Sequence, residues 1–437
     1  MPMLDRRQAI LSTLFGTGLV GLRALATGLP ASLLLNPRKA LASAASLAAS
    51  DKAQFIIFNT SGAGDPINTS VPGTYDDPNI VHSADAKMAP GMLSLGGKTY
   101  TAARPWTMLP RDVLDRTTFW HLMTDTPIHP KEPEVLKLMG ATTGAEMLPS
   151  ILAKQLASSL GTVQTQPITI GASSPAEALS FGGAALPIVP PLALKSTLTS
   201  PPGPLTNLQS LRDQTLNQLY DVYRNGATTK QRAYIDALVT TQGQVRNINQ
   251  TLLDALSSIK DNTAESQVLA AVALIQMKVA PVVSIHIPFG GDNHRDVRLE
   301  AETLQTVAGV ATIGSLMQAL KTAGLADSVS LVTLNVFGRT LGPGNIDGRS
   351  HNGNHQVSLT IGKPFRAGVI GGVGPMEGDY GAMAIDSKTG LASPNGDITR
   401  VGTLASFGRT LLAAFGVDGS AIDSLITSGQ VLAPALA

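Results

Sequence analysis

Between Pro281 and Phe415 the chain alternates in a way that few folds allow. Pro281–Phe289, "PVVSIHIPF", reads as a buried strand. Leu299, Leu304, Val307, Val310, Ile313, Leu316 and Leu320 then recur at helical spacing. Ser328–Asn335, "SVSLVTLN", is a second buried strand, Gln356–Ile361 a third, and Leu404–Phe415 a further helix. Near the start, Gln54–Thr60, "QFIIFNT", has the same strand character and ends in the glycine-rich turn "SGAGD". Strand, helix and strand joined by short links predict an α/β fold on a parallel sheet. Leucines at helical spacing from Leu205 to Ile259, and a third helix over Ala264–Val279, predict a helical insertion at 205–280. Residues 71–130 are rich in Pro, Gly and Asp, so loops are expected to dominate there. Leu186–Pro204, with six prolines, reads as a surface linker.

The first 42 residues read as a targeting segment. Arg6 and Arg7 precede a mildly apolar, glycine-rich run; Arg38 and Lys39 follow, then Ala40-Leu41-Ala42, an A-x-A cleavage site. This is the layout of a bacterial twin-arginine export signal, with cleavage expected after Ala42 or Ala44. Arg23 interrupts the apolar run, which argues against a spanning helix. The expected partner is the twin-arginine translocase, and the expected location is the periplasm or the exterior. The mature domain is expected over 51–437. The chain has no cysteine, which excludes disulfides, zinc–thiolate sites and thiol nucleophiles. A net charge of +1 leaves no basic field for a nucleic acid.

Chemistry concentrates after strand ends. Asp292 and His294 stand two apart in "FGGDNHRD", just past the first strand of the alternating region. In extended chain such residues face the same way. Ligands of open α/β sheets gather at the carboxyl ends of strands. Asp65 follows the strand Gln54–Thr60, and His351 and His355 follow Ser328–Asn335. Carboxylates and imidazoles gathered this way suit zinc, manganese or iron without sulfur. An Asp-x-His pair serves equally as a hydrogen-bonded loop pair. His286, inside the predicted strand, reads as a satisfied core histidine, and His82 and His121 have no suggestive neighbours. Arg339, in "FGRT", could grip a phosphate or sulfate oxyanion, or equally brace loop carbonyls. "MLSLGGKT" ends like a P-loop but has Met92 where the first glycine is required, and Ser61 lacks both glycines of a nucleophile elbow.

In order and spacing, these motifs resemble a bacterial domain-of-unknown-function family of twin-arginine-exported proteins, distantly similar to the alkaline phosphatase and sulfatase superfamily. The segments that carry the resemblance are Gly62-Ala63-Gly64-Asp65-Pro66-Ile67-Asn68, Gly290-Gly291-Asp292-Asn293-His294, Asn335-Val336-Phe337-Gly338-Arg339-Thr340, Gly348-Arg349-Ser350-His351 and Gly371-Gly372. The resemblance implies a three-layer α/β/α sandwich with a divalent metal (zinc, manganese or calcium) on the strand ends. It implies Asp65, Asp292, His294 and His351 as ligands. His129 matches a histidine of many members, and Thr126 is the nearest hydroxyl to act as nucleophile. Val336 stands where the family has Glu, Ser350 where it has Asp, and Pro66 where it has Gly; Asp347 could substitute for the missing aspartate. Two functions follow: a metal-dependent phosphate- or sulfate-ester hydrolase, or a non-catalytic binding or scaffold protein on a degenerate version of the fold.

Overall fold

The computed structural model describes residues 54–437 apart from 158–159, 161–165, 173–176, 199–205, 230, 234, 237–238, 240–249 and 377. The export signal and parts of the expected helical insertion lie outside the described residues. Among those described, no helix is long and apolar enough to cross a membrane.

The centre is a mixed, mostly parallel sheet. Its strands are β1 (Phe55–Ser61), β2 (Thr117–Leu122), β3 (Ile168–Thr169), β4 (Val282–Ile285), β5 (Val329–Asn335), β6 (Gln356–Ile361) and β7 (Gly368–Ile370). They lie in the order β7-β2-β6-β5-β1-β4-β3. β1 pairs in parallel with β5 and β4. β6 is antiparallel to β5 and to β2. No helix separates β5 from β6, and a parallel return needs a long crossover, so the chain turns back antiparallel. The expectation of a uniformly parallel sheet is corrected there.

Side chains alternate across β1. Phe55 and Ile57 join the apolar cluster that includes α2 (Ala264–Gln276) and α3 (Glu300–Thr322). Ile56 and Phe58 join the one that includes α1 (Leu148–Leu156) and α4 (Thr403–Ala414). Helices therefore cover both faces, which explains why β1 and β5 are buried along their whole lengths. α2 shares its apolar cluster with the strands of the sheet.

The structure alters three local readings. Residues 71–130 are not all loop: they hold the hairpin Pro90–Leu95/Lys98–Ala103 and the fully buried strand β2. The tempting Gly96-Gly97 is that hairpin's turn, both glycines having positive φ. The proline-rich stretch contains a helix, Pro191–Leu198, that buries Leu194. β4 ends at Ile285, so His286 sits just past the strand.

Candidate metal centre

Loops from four parallel strands meet at one edge of the sheet. The loop after β1 carries Gly62–Asp65, that after β2 carries Thr126 and His129, that after β4 carries Asp292 and His294, and that after β5 carries Phe337 and Arg339. The short ladder Gly338–Arg339 with His351–Asn352 pairs Arg339 with His351 and brings that histidine to the same edge.

His129, Asp292 and His351 form the centre: one ligand atom from each lies within 4.8 Å of the others. His351 Nε2 is 3.4 Å from Asp292 Oδ1, and His129 Nε2 is 3.7 Å from Asp292 Oδ2. His294 Nε2 lies 2.9 Å from Asp292 Oδ1 and 2.9 Å from His351 Nε2. The imidazole tautomers follow from their backbone partners. His351 Nδ1 donates to Pro127 O at 2.6 Å, and His129 Nδ1 donates to Gly62 O at 2.8 Å. A carbonyl only accepts, so each Nδ1 carries the proton and each Nε2 lone pair faces Asp292. Histidine metal ligands are oriented by this kind of Nδ1–H to carbonyl bond. Two neutral imidazoles and a carboxylate are a donor set that could hold a divalent cation.

The charges agree with that reading. Partial burial pushes the Asp292 carboxyl up, but its contacts with His351 and Arg339 outweigh it and hold it below the usual carboxylate range. Burial chiefly, and Arg339 in addition, lower the His351 imidazole, which favours its neutral, ligating form. Phe337 stacks on His351 with centroids 4.3 Å apart and meets His129 edge-on at 5.0 Å. Its ring walls one side of the two imidazoles.

Arg339 is fully buried and spends all three nitrogens locally. Nε donates to Gly64 O (2.6 Å), Nη2 to Ala63 O (2.7 Å), and Nη1 to Asp292 Oδ1 (3.2 Å). It braces the Gly62–Asp65 loop and aims the Asp292 carboxylate; it does not present a fork to an oxyanion. Thr126 is buried beneath Gly353, whose missing side chain would strike the Thr126 backbone. Among the described residues no hydrogen bond joins its hydroxyl to the histidines.

Two proposed ligands lie elsewhere. Asp65 is fully buried: its Oδ1 accepts from Ser61 Oγ at 2.8 Å, and its backbone N–H donates to Asn335 Oδ1. His355 is fully buried, with Nε2 2.9 Å from His121 Nδ1 and Nδ1 3.2 Å from Asn68 Nδ2. A turn at Gly353-Asn354 separates the two histidines, and the second ring lies in the core. His121 thus has a partner that the sequence did not disclose. His82 stacks on Tyr75 and His286 Nδ1 donates to Thr60 O. Val336 packs in an apolar cluster. Ser350 is exposed and precedes His351 in extended chain, where neighbours project to opposite faces. Asp347 accepts from Arg298 N at 3.0 Å and ties its own loop to the start of α3.

Sequence reasoning missed the residues that hold the ligand loops in place. Glu302, on the first turn of α3, receives Arg349 Nε at 2.6 Å and Asn293 Nδ2 at 3.0 Å. Asn293 lies between Asp292 and His294, and Arg349 stands two before His351. The acid near the start of a predicted helix was the available signal, since a negative charge is favoured there.

No protein-family model matches the chain, and no curated protein matches it. Among solved structures it aligns with one described as the crystal structure of Ps i-CgsB in complex with k-i-k-neocarrahexaose. The identity is 11% over 87% of this chain and 75% of that one, with a TM-score of 0.33. At that score the similarity carries no weight for fold or function.

Proposed function

We propose that this chain is an exported, metal-dependent hydrolase of phosphate or sulfate esters on an alkaline-phosphatase-like α/β/α framework. The reading rests on one observation. His129 and His351 both have Nδ1–H tied to backbone carbonyls, so that both Nε2 lone pairs converge on Asp292. A divalent ion held by these three residues, with His294 at its side, would polarise an ester and lower the pKa of a bound water. Zinc or manganese suits a donor set of two imidazoles and one carboxylate better than calcium does. Arg339 holds Asp292 in place, and Phe337 shields the imidazoles from solvent on one side. Thr126 is buried, so the nucleophile in this reading is water and not a side chain. Export through the twin-arginine route, with cleavage after Ala42 or Ala44, completes the proposal.

The test is elemental analysis of the mature protein purified from the periplasm without chelator, with turnover of p-nitrophenyl phosphate and p-nitrophenyl sulfate. About one ion per chain is expected. Each of His129→Ala, Asp292→Ala and His351→Ala should lose it, whereas His286→Ala should keep it. Hydrolysis should vanish with EDTA and return with zinc or manganese. Equal metal content in all four variants would remove these residues from the site. Bound metal without hydrolysis of either ester would leave a metal-binding scaffold, and an intact Met1 on periplasmic material would remove the cleavage.

A further inference from the structure

The helix α3 is apolar on more than the face it turns to the sheet. Ile313, Leu316 and Leu320 are buried in the core, whereas Val307, Ala311 and Gly314 line a groove of about 1180 Å³. α2 borders this groove through Leu269, and the segment after the short helix Arg104–Thr107 borders it through Met108 and Leu109. Small side chains on α3 keep it open: a Cβ on Gly314 would come within 3.6 Å of Leu109 Cδ2. Met108 is 72% exposed at the rim, an unbranched side chain that adapts to an occupant. The groove follows α3 from Val307 to Ala323. At 1.5 Å per residue that is about 24 Å, close to an extended acyl chain of about sixteen carbons.

The charged side chains that line the groove are Lys87 and Arg104, both cationic, and no carboxylate lines it. Arg104 N donates to Ala89 O at 3.0 Å, which brings the two cations to the same place. That place is one end of the groove. Thr303 Oγ1 donates to Ser83 Oγ near the start of α3, and Lys321 Nζ donates to Asp112 Oδ2 near its end. The chain from Ser83 to Asp112 thus follows α3, with Lys87 and Arg104 toward its start. Both side chains are exposed, and neither Lys87 Nζ nor the Arg104 guanidinium has a hydrogen-bond or ion-pair partner among the described residues. Asp85, the acid of that turn, caps it by accepting from Lys87 N. We propose that this groove binds a single-chain anionic amphiphile, a long-chain carboxylate. Its acyl chain lies along α3, and its carboxylate sits between Lys87 and Arg104. Apolar walls bury the chain, and a guanidinium matches a carboxylate with two parallel hydrogen bonds. One helix face is a track for one chain, not for the two of a membrane phospholipid.

The inference is independent of the hydrolase reading, because no residue of the histidine centre lines the groove. Delipidated full-length mature protein is titrated by calorimetry with sodium palmitate, kept monomeric. It is titrated in parallel with hexadecyltrimethylammonium bromide, which has a chain of the same length and the opposite charge. One palmitate per chain is expected, with the cationic amphiphile bound at least ~10-fold more weakly. Lys87→Glu combined with Arg104→Glu should reverse that preference. Ala311→Trp, at an exposed position of α3, fills the groove and should abolish binding of both amphiphiles. Circular dichroism verifies the fold of each variant, and the double charge reversal on the surface keeps the test decisive if the Trp variant does not fold. Absence of palmitate binding, or equal affinity for the two amphiphiles, would overturn the proposal. So would palmitate binding that survives the charge reversal unchanged. Binding to phosphatidylglycerol vesicles without binding of monomeric palmitate would assign the groove to a membrane surface instead. A dimer in sedimentation that Ala311→Trp dissociates would assign it to a second copy of the chain.

Discussion

His121 Nδ1 and His355 Nε2 lie 2.9 Å apart in the interior, and their surroundings admit one arrangement of protons. His121 Nε2 donates to Pro72 O, so its Nδ1 is bare and accepts from His355 Nε2–H. His355 Nδ1 is then bare and accepts from Asn68 Nδ2, whose amide also clamps the Arg339 backbone through N–H and C=O. Both rings are neutral, and an added proton has no acceptor. Burial lowers His121 to about 4, while burial and then His121 lower His355 well below the usual range.

The pH dependence follows from the sign of those shifts. A histidine whose folded pKa is depressed contributes stability that is complete above the unfolded value of about 6.5. For His121 that stability is lost as pH falls through the 6.5 to 4 window, and His355 acts in the same direction. Asp65, raised to about 6 chiefly by burial, opposes it: its contribution is present at low pH and is lost as pH rises through 6. Glu132 acts in the same direction as Asp65. The expected outcome is that the ring resonances of His121 and His355 do not titrate between pH 7 and 5. Metal-free Glu132→Gln should also lose unfolding free energy on acidification more steeply than the parent does. Ordinary titration near pH 6.5 for either ring would refute the buried relay.

Glu302 and Arg349 yield a second expectation. Their bond is fully buried, with Nε at 2.6 Å and Nη2 at 3.1 Å from the carboxylate, which also accepts from Thr69 and Asn293. Glu302→Gln leaves the guanidinium buried without its counter-ion, which costs ~3–5 kcal/mol by the behaviour of broken buried pairs. Because Asn293 and Arg349 flank the ligands, metal affinity at the histidine centre should fall as well. Urea denaturation with metal titration checks both effects. Unchanged unfolding and unchanged metal affinity would show that the ligand loops stand without this anchor.

The parts of this architecture that the sequence discloses are those where one residue pattern has one meaning. β1 and β5 are legible as apolar runs because burial on both faces removes polar alternation. Asp292, His294 and His351 are legible as strand-end residues. β2, "TTFWHL", has the β-branched and aromatic content of a strand, but the Pro- and Gly-rich residues around it hide that signal. The direction of β6 depends on the absence of a crossover helix, not on its own residues. His129 enters by resemblance alone, and the carbonyls that orient the rings, Gly62 and Pro127, lie 67 and 224 residues from the histidines they hold. His355 misleads because it too follows a strand end, yet its ring is carried into the core.

Gly64 offers the most selective probe of how backbone conformation maintains the centre. Its φ is +71°, a region that disfavours any side chain, and a Cβ there would enter the Phe337 ring. Its carbonyl also accepts from Arg339 Nε. Gly64→Ala therefore imposes two costs: backbone strain of roughly 1 kcal/mol or more, and displacement of the ring that stacks on His351 and borders His129. Gly97→Ala separates them. Gly97 also has a positive φ, +80°, but a Cβ there meets nothing within 4 Å, and the residue sits in the hairpin turn. Gly97→Ala should lose stability by the strain alone and keep full metal affinity. Gly64→Ala should lose more stability and bind zinc or manganese more weakly. Urea unfolding and metal calorimetry on the two variants decide the matter. Equal metal affinity in both would mean that Phe337 and the Arg339 brace are packing features of the loop, with no part in holding His129 and His351 toward Asp292.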